Sequence, residues 1–331
     1  MCLNLRVRPL KVNPVLRRVA LIYNPASGPS SARRELRVRE AMQVLREAGA
    51  HVESLETSGP GGGAVHARAC VRQGFDAVIA CGGDGTVHEV LQPLVGTGIA
   101  LGVLPLGTAN ALASNLGLIA PAAIVARKLL HARPVRIPVG RIHYRDSAGN
   151  PASRYFVVAA GIGADALLMA RLDTRLKRRL GYLLYLIEAF RLWATHPFPL
   201  FEAVVTANGS GEDRVVEISQ LLAVRVRSFG GALRRLAPGA TLYNGHLHLI
   251  AFRTRRRLDY MRFLLAVLAG RHAFDGVVEL LEATRAECRP CNGGSEILFT
   301  EADGEVLGSL PVTLEVVPDA LNLLVPQGAE P

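Results

Sequence analysis

Three times before Gly117 the chain runs a short apolar segment of β type into a glycine-bearing turn and then into helical periodicity. Residues 19–23, VALIY, lead into NPASG; residues 76–80 lead into GGDGT; residues 99–104 lead into PLGTAN. A further short strand at 51–56 precedes a glycine-rich loop and a helix reaching about Gln73, and helical periodicity also spans Ala32 to Ala48. Strands that alternate with helices require a parallel sheet covered on both faces. In such a sheet ligands bind outside the carboxyl ends of the strands, so the three turns should meet at one rim.

After about Pro134 the pattern changes. RYFVVAA, FEAVVTA, RVVEISQLLAVRV, HLHLIAF and PVTLEVV are short, strand-like and separated by turn signals. They predict an antiparallel β domain, interrupted by helices at roughly Arg171–Trp193 and Arg257–Ala269. The length of 331 residues is ample for two domains that each bury a core.

Half the residues are hydrophobic and the formal charge is +10, so the chain is globular and favours anionic partners. Aromatic residues make up only 5%, with no basic tract interleaved among them, which argues against nucleic acid. Five cysteines form no disulfide framework and suggest a reducing, cytoplasmic setting. Cys288 and Cys291 make a CxxC without a second pair, and read as incidental thiols. The apolar runs Leu180–Trp193 and Phe263–Gly270 are interrupted by charge or too short to span a bilayer. Membrane contact is therefore expected to be peripheral.

A polyphosphate needs close backbone approach and several N–H donors. Glycines allow both, and the helix that follows adds its partial positive end. Asp84, inside GGDG, would repel phosphate unless a divalent cation lay between them or it accepted a proton from an attacking hydroxyl. Taken alone, the same turn is a bend whose aspartate caps the next helix. Asp303-Gly304, taken alone, is a hairpin turn. Among the histidines, His246 and His248 would share one face of a strand, but no third ligand follows at metal spacing, and a structural role is expected.

NPASG, GGDGTVHEVLQPL, LPLGTANAL, GIGAD, KRRLGYLLY, SFGG, APGATLYNGHL, EADGEVLG and PDALNLLVP together resemble the soluble lipid kinase family. That family holds bacterial diacylglycerol kinases with sphingosine and ceramide kinases, and shares its nucleotide domain with NAD kinases. The resemblance runs from Arg18 to Pro326 and implies an α/β nucleotide-binding domain with a parallel sheet (residues 1–133) and a C-terminal antiparallel β-sandwich with inserted helices (134–318). A last segment (319–331) would return to the first domain.

It also implies ATP- and Mg²⁺-dependent phosphorylation of a lipid hydroxyl at the inner membrane face, on an anionic surface. The family's nucleotide contacts fall on Asn24, Ser27 and Gly28, on Gly82, Gly83, Gly85 and Thr86, and on Gly107, Thr108 and Asn110. Glu89, on the emerging helix, could reach back toward the nucleotide. Asp84 would organise the metal or accept the proton. Glu305 resembles the general base, with Asp303 as its neighbour. Asp165 matches a position facing the lipid head group, and Arg178 and Arg179 match basic residues near the phosphates. Unpaired strands of the β domain would support a homodimer.

Three positions depart from the bacterial pattern. Ala111 and Pro138 stand where diacylglycerol kinases carry carboxylates of a water-mediated Mg²⁺ network. Asn244 replaces an aspartate that holds a structural cation. Sphingosine kinases share Asn110–Ala113 and a histidine at the position of His88, so the departures mark either a substrate branch or reduced activity. An NAD kinase-like enzyme and an inactive nucleotide- or lipid-binding pseudokinase are the alternatives.

Overall fold

The computed structural model describes residues 16–25, 31–171, 188, 190–229, 236–271, 274–291 and 297–329. The first domain consists of β1 (Arg18–Tyr23), α1 (Ser31–Glu47), β2 (His51–Glu56), α2 (Gly62–Arg72), β3 (Ala77–Gly82), α3 (Asp84–Leu91), β4 (Ala100–Pro105), α4 (Ala111–Asn115) and α5 (Ala122–Leu130). Its strands pair in parallel in the order β4-β3-β1-β2. β3 is buried at every position because both its faces are covered, whereas β2 at the edge alternates. The register sets Tyr23 beside Cys81 and Cys81 beside Leu104. The carboxyl ends of β1, β3 and β4 therefore finish side by side.

The second domain consists of β5 (Arg133–Arg145), β6 (Pro151–Phe156), β7 (Ala159–Ile162), α6 (Ala164–Arg171), β8 (Phe201–Ala207), β9 (Asp213–Ile218), β10 (Gln220–Val224), β11 (Leu247–Phe252), α7 (Arg257–Leu268), β12 (Val278–Pro290), β13 (Phe299–Ala302), β14 (Glu305–Ser309) and β15 (Val312–Val325). It is an antiparallel β-sandwich. Alternate residues such as Phe201, Ala203 and Val205 of β8 and Leu247, Leu249 and Ala251 of β11 point into one buried core. The helix expected over Arg171–Trp193 lies mostly outside the described residues, with residues 190–195 helical.

Two segments that read as single strands are divided. RYFVVAA breaks at Val157–Val158, where backbone amides turn toward the Asp303 carboxylate. RVVEISQLLAVRV breaks at Ser219, whose hydroxyl binds the Thr254 and Phe252 carbonyls and the Tyr260 hydroxyl. At the first break a carboxylate from a distant segment competes with the ladder for backbone amides; at the second the Ser219 hydroxyl takes carbonyls of a distant segment.

β15 joins the domains. Its first half pairs with β12 and β5, and its end runs parallel to β4, with Asn322 beside Ala100 and Leu323 beside Leu101. Side chains add two further ties. Gln92, just past α3, donates to the Tyr155 carbonyl at 2.9 Å and accepts from the Tyr155 amide at 3.0 Å. Asn115 of α4 donates to the Ser228 carbonyl at 2.6 Å and accepts from the Ser228 amide at 3.1 Å. Each amide side chain clamps both backbone groups of one residue of the second domain, as a strand neighbour would.

Candidate active site

The turns after β3 and β4 touch backbone to backbone. A Cβ built on Gly107 would stand 2.5 Å from Gly83 Cα, a separation that no side-chain carbon tolerates. Asn110, held at φ 51°, closes the second turn by accepting from the Gly107 amide at 3.0 Å and donating to the Gly107 carbonyl at 2.7 Å. Asp84 links the two turns, one carboxylate oxygen accepting from the Ala111 amide at 2.8 Å. Burial pushes Asp84 above the usual carboxylate range; the Ala111, Leu112 and Asn110 amides pull it back, and the Asp303 charge adds to the rise.

Gly82 leaves room for Thr86, whose Oγ1 would lie 2.2 Å from a Cβ there. The first amides of α3 have no carbonyl one turn earlier in the helix and face the rim with its partial positive end. Asn24 ends β1 beside this cradle. Its carbonyl and that of Pro25 accept from the buried guanidinium of Arg34 on α1, at 3.2 and 3.0 Å. Ser27, Gly28, Arg178 and Arg179 lie outside the described residues.

From the second domain a hairpin reaches these turns. β13 and β14 are joined by Asp303 and Gly304 at φ 49° and 85°, the left-handed pair a two-residue hairpin demands. Glu305, the first residue beyond the turn, brings Oε1 to 3.0 Å from where a Gly85 Cβ would sit. Glu305 is exposed.

Asp303 is not beside it in the open. Its carboxylate accepts from the amides of Val157 (3.1 Å), Val158 (2.8 Å) and Ala159 (3.1 Å) and meets His88 Nδ1 at 3.4 Å. It is an anchor between the hairpin, the β6–β7 junction and α3. His88 is buried on that anchor and does not face the cleft.

Asp165, expected to face a lipid head group, points inward instead. Its Oδ2 would lie 1.7 Å from a Cβ at Gly161, and Glu301 Oε1 would lie 3.0 Å from the same point. The two acids face each other across a glycine whose missing side chain makes room for them. Both Asp165 oxygens are buried without a hydrogen-bond partner among the described residues. Burial lifts Asp165 to about 7. Burial, with Asp165 next in weight, lifts Glu301 well above the ordinary range. Glu301 also accepts from the Gly304 amide at 2.7 Å, so the pair lies directly under the hairpin turn. Glu301 carried no signal in the sequence.

Glu89 is likewise diverted. Its carboxylate accepts from the amides of Gly61 and Gly63 at 2.8 Å each, at the start of α2. It satisfies open donors of a neighbouring helix rather than reaching for the rim. At Asn244, Oδ1 takes the amide and hydroxyl of Thr241 at 2.6 and 2.7 Å. The carbonyls of Leu242, Asn244, His246 and Pro138 converge on the buried guanidinium of Arg225 at 3.3, 3.2, 3.4 and 2.9 Å. Around Asn244, where the resemblance expects a structural cation, the acceptors already have protein donors, one of them cationic.

A family model described as the diacylglycerol kinase catalytic domain matches residues 18–142. A second, the YegS C-terminal NAD kinase beta sandwich-like domain, matches residues 156–325. The chain belongs to the diacylglycerol kinase family. Among its relatives, a diacylglycerol kinase of Mycobacterium tuberculosis is 30% identical over 94% of this chain and 96% of that one. A diacylglycerol kinase of Bacillus subtilis is 28% identical over 89% and 92%. A protein of Chromohalobacter salexigens named a probable lipid kinase, YegS-like, is 31% identical over 88% and 89%. A solved structure from Bacillus anthracis, named a candidate diacylglycerol kinase, superposes with a TM-score of 0.73 at 18% identity, covering 95% of this chain and 97% of that one, which speaks for the fold.

Proposed function

We propose that this member of the diacylglycerol kinase family transfers the γ-phosphate of ATP to the free hydroxyl of a diacylglycerol at an anionic membrane surface. The observation that carries the reading is the meeting of Glu305 from one domain with Gly85 of the other, beside the contact of Gly83 with Gly107. A cradle that a single Cβ would fill suits a polyphosphate, gripped by amides of Gly83, Gly85 and Thr86 and by the Gly107–Asn110 turn. Asn24, Ser27 and Gly28 would extend the grip from β1.

A lipid hydroxyl attacks poorly until its proton has an acceptor. Glu305 is exposed and no described donor binds it, so it is the group able to take that proton. Asp84, tied to Ala111, is the fixed carboxylate that would hold hydrated Mg²⁺ against the phosphates. When bound, the cation neutralises charge developing on the transferred phosphoryl group. Asp303, Asp165 and Glu301 act as positioning residues that set the hairpin, and with it Glu305, against the rim.

Docking to a bilayer is assigned to α7. Its inner face packs Phe263 and Val267 into the fold, while Leu258, Leu265 and Leu268 on the other side are 75%, 58% and 50% exposed. Exposed Arg255, Arg256 and Arg271 flank this apolar strip, whereas Arg253 and Arg262 are paired with Glu279 and Asp275. Apolar insertion bordered by cations fits an anionic lipid surface. Among the described residues no helix is long and apolar enough to cross a membrane.

The test is phosphate transfer from radiolabelled ATP with Mg²⁺ to diacylglycerol, a sphingoid base, ceramide or NAD, the lipids in anionic mixed micelles. Labelled phosphatidic acid is the expected product. Label on a sphingoid lipid would move the acceptor; label on NAD, or none on any acceptor, would overturn the proposal.

A further inference from the structure

The second domain carries a histidine pair that the kinase reading does not use. His246 and His248 flank Leu247 at the start of β11, and register places His248 directly opposite Glu282 of β12. Cross-strand partners point to the same side of a sheet, so all three side chains share one face. A ligand atom from each lies within 4.8 Å of the others. In sheet order this face is separated from the Asp303–Gly304 hairpin by β7 and β10.

His248 is 2% exposed, and neither of its ring nitrogens has a hydrogen-bond partner among the described residues. An imidazole buried with both nitrogens idle calls for a partner that no described residue supplies. His246 is already oriented. Its Nδ1 lies 3.1 Å from the Asn208 side-chain amide, and its Nε2 lies 3.5 Å from Glu282 Oε2. Asn208 is itself pinned to the site, its amide donating to the Glu282 carbonyl at 2.9 Å. With the Asn208 amide turned so that its oxygen accepts from Nδ1–H, Nε2 is left unprotonated for an ion, which is the usual support of a metal-bound histidine.

We propose that His246, His248 and Glu282 form a binding site for a borderline divalent transition-metal ion, with Zn²⁺ the best match. Two imidazoles and one carboxylate are a zinc donor set with a fourth position left for water. Tetrahedral bonds of zinc length hold donor atoms about 3.3 Å apart, close to the His246–Glu282 spacing. His248, whose ligand atom lies within 4.8 Å of the other two, would have to turn toward them to complete the set. Arg225 stands close behind, donating to the His246 carbonyl at 3.4 Å, and its charge opposes a second cation. Glu282 is the group that offsets it, which makes Glu282 the informative position. The ion would pin β11 to β12 beneath the loop at Gly239, where a Cβ would lie 3.6 Å from His248 Cε1.

The test uses the full chain after chelator treatment, titrated with Zn²⁺ by calorimetry and with Co²⁺ followed by its visible d–d bands. One saturable equivalent, tetrahedral Co²⁺ bands and a rise in the unfolding temperature are expected. Glu282→Gln, at a side chain more than half exposed and therefore safe for the fold, should weaken binding at least tenfold. His246→Ala should abolish the Co²⁺ bands. No saturable binding, or full-affinity binding in both variants, overturns the site. Neither readout depends on phosphate transfer, so the result is independent of the kinase proposal.

Discussion

Gly107→Ala isolates the contact between the two turns. The added methyl would stand 2.5 Å from Gly83 Cα, 3.1 Å from Gly83 N and 3.0 Å from Asn110 Oδ1. Ordinary carbon contacts are about 3.5–4.0 Å, so the turns must part by roughly 1 Å. Two of the three obstructing atoms are backbone and cannot rotate away. Overpacking of this kind costs about 1–3 kcal/mol, and the rim can relieve part of it by opening toward solvent. Catalysis has no such relief, because misplacing a reacting group by about 1 Å lowers the rate about 100-fold. The expected outcome is a modest drop in urea midpoint with kcat/KM for ATP reduced about 100-fold. Gly98→Ala, with nothing within 4 Å of the new methyl, is the control. Equal kcat/KM in the two folded variants would refute the idea that the cradle is set by backbone approach.

Asp165 sits near 7 instead of its ordinary 3.8, so between those values the folded chain binds more protons than the unfolded one. Its contribution is fully present below about pH 4 and is lost as pH rises toward 7, by at most about 4 kcal/mol. Urea unfolding of Asp165→Asn should show a flatter pH dependence than the parent across that window. Arg225→Met removes the guanidinium from the Pro138, Leu242, Asn244 and His246 carbonyls and should cost about 3 kcal/mol in the same assay. Replacing Leu258 and Leu265 by Glu should abolish sedimentation with anionic vesicles while sparing phosphate transfer to detergent-dispersed substrate, because both side chains are exposed and leave the core intact.

What could be read from the chain is what depends on local rules. The alternation of β1 to β4 with helices shows in the hydrophobic period, and the rim follows from it, since parallel strands all deliver their turns to one end. Asp303-Gly304 announces its hairpin because both residues tolerate positive φ. The fate of individual carboxylates was not legible. Glu89 and Asp303 lie on motif residues yet turn to amides of α2 and of the β6–β7 junction, partners far away in sequence. Glu301 gained its meaning only from Asp165 across Gly161, and Gln92 and Asn115 only from the backbone of single residues of the other domain. The third donor beside His246 and His248 likewise arrives from the next strand, so spacing along one segment could not reveal it. Ala111 shows the converse: its role lies in its amide, which holds Asp84, and no side chain reports that.

Glu305→Gln addresses the central claim most directly, since it keeps the size and exposure of a side chain that stands over Gly85 while removing its ability to take a proton. Calorimetric titration with ATP and Mg²⁺ should give affinity close to that of the parent, while lipid phosphorylation should fall about 100- to 10,000-fold. Phosphorylation at the parental rate would contradict the account.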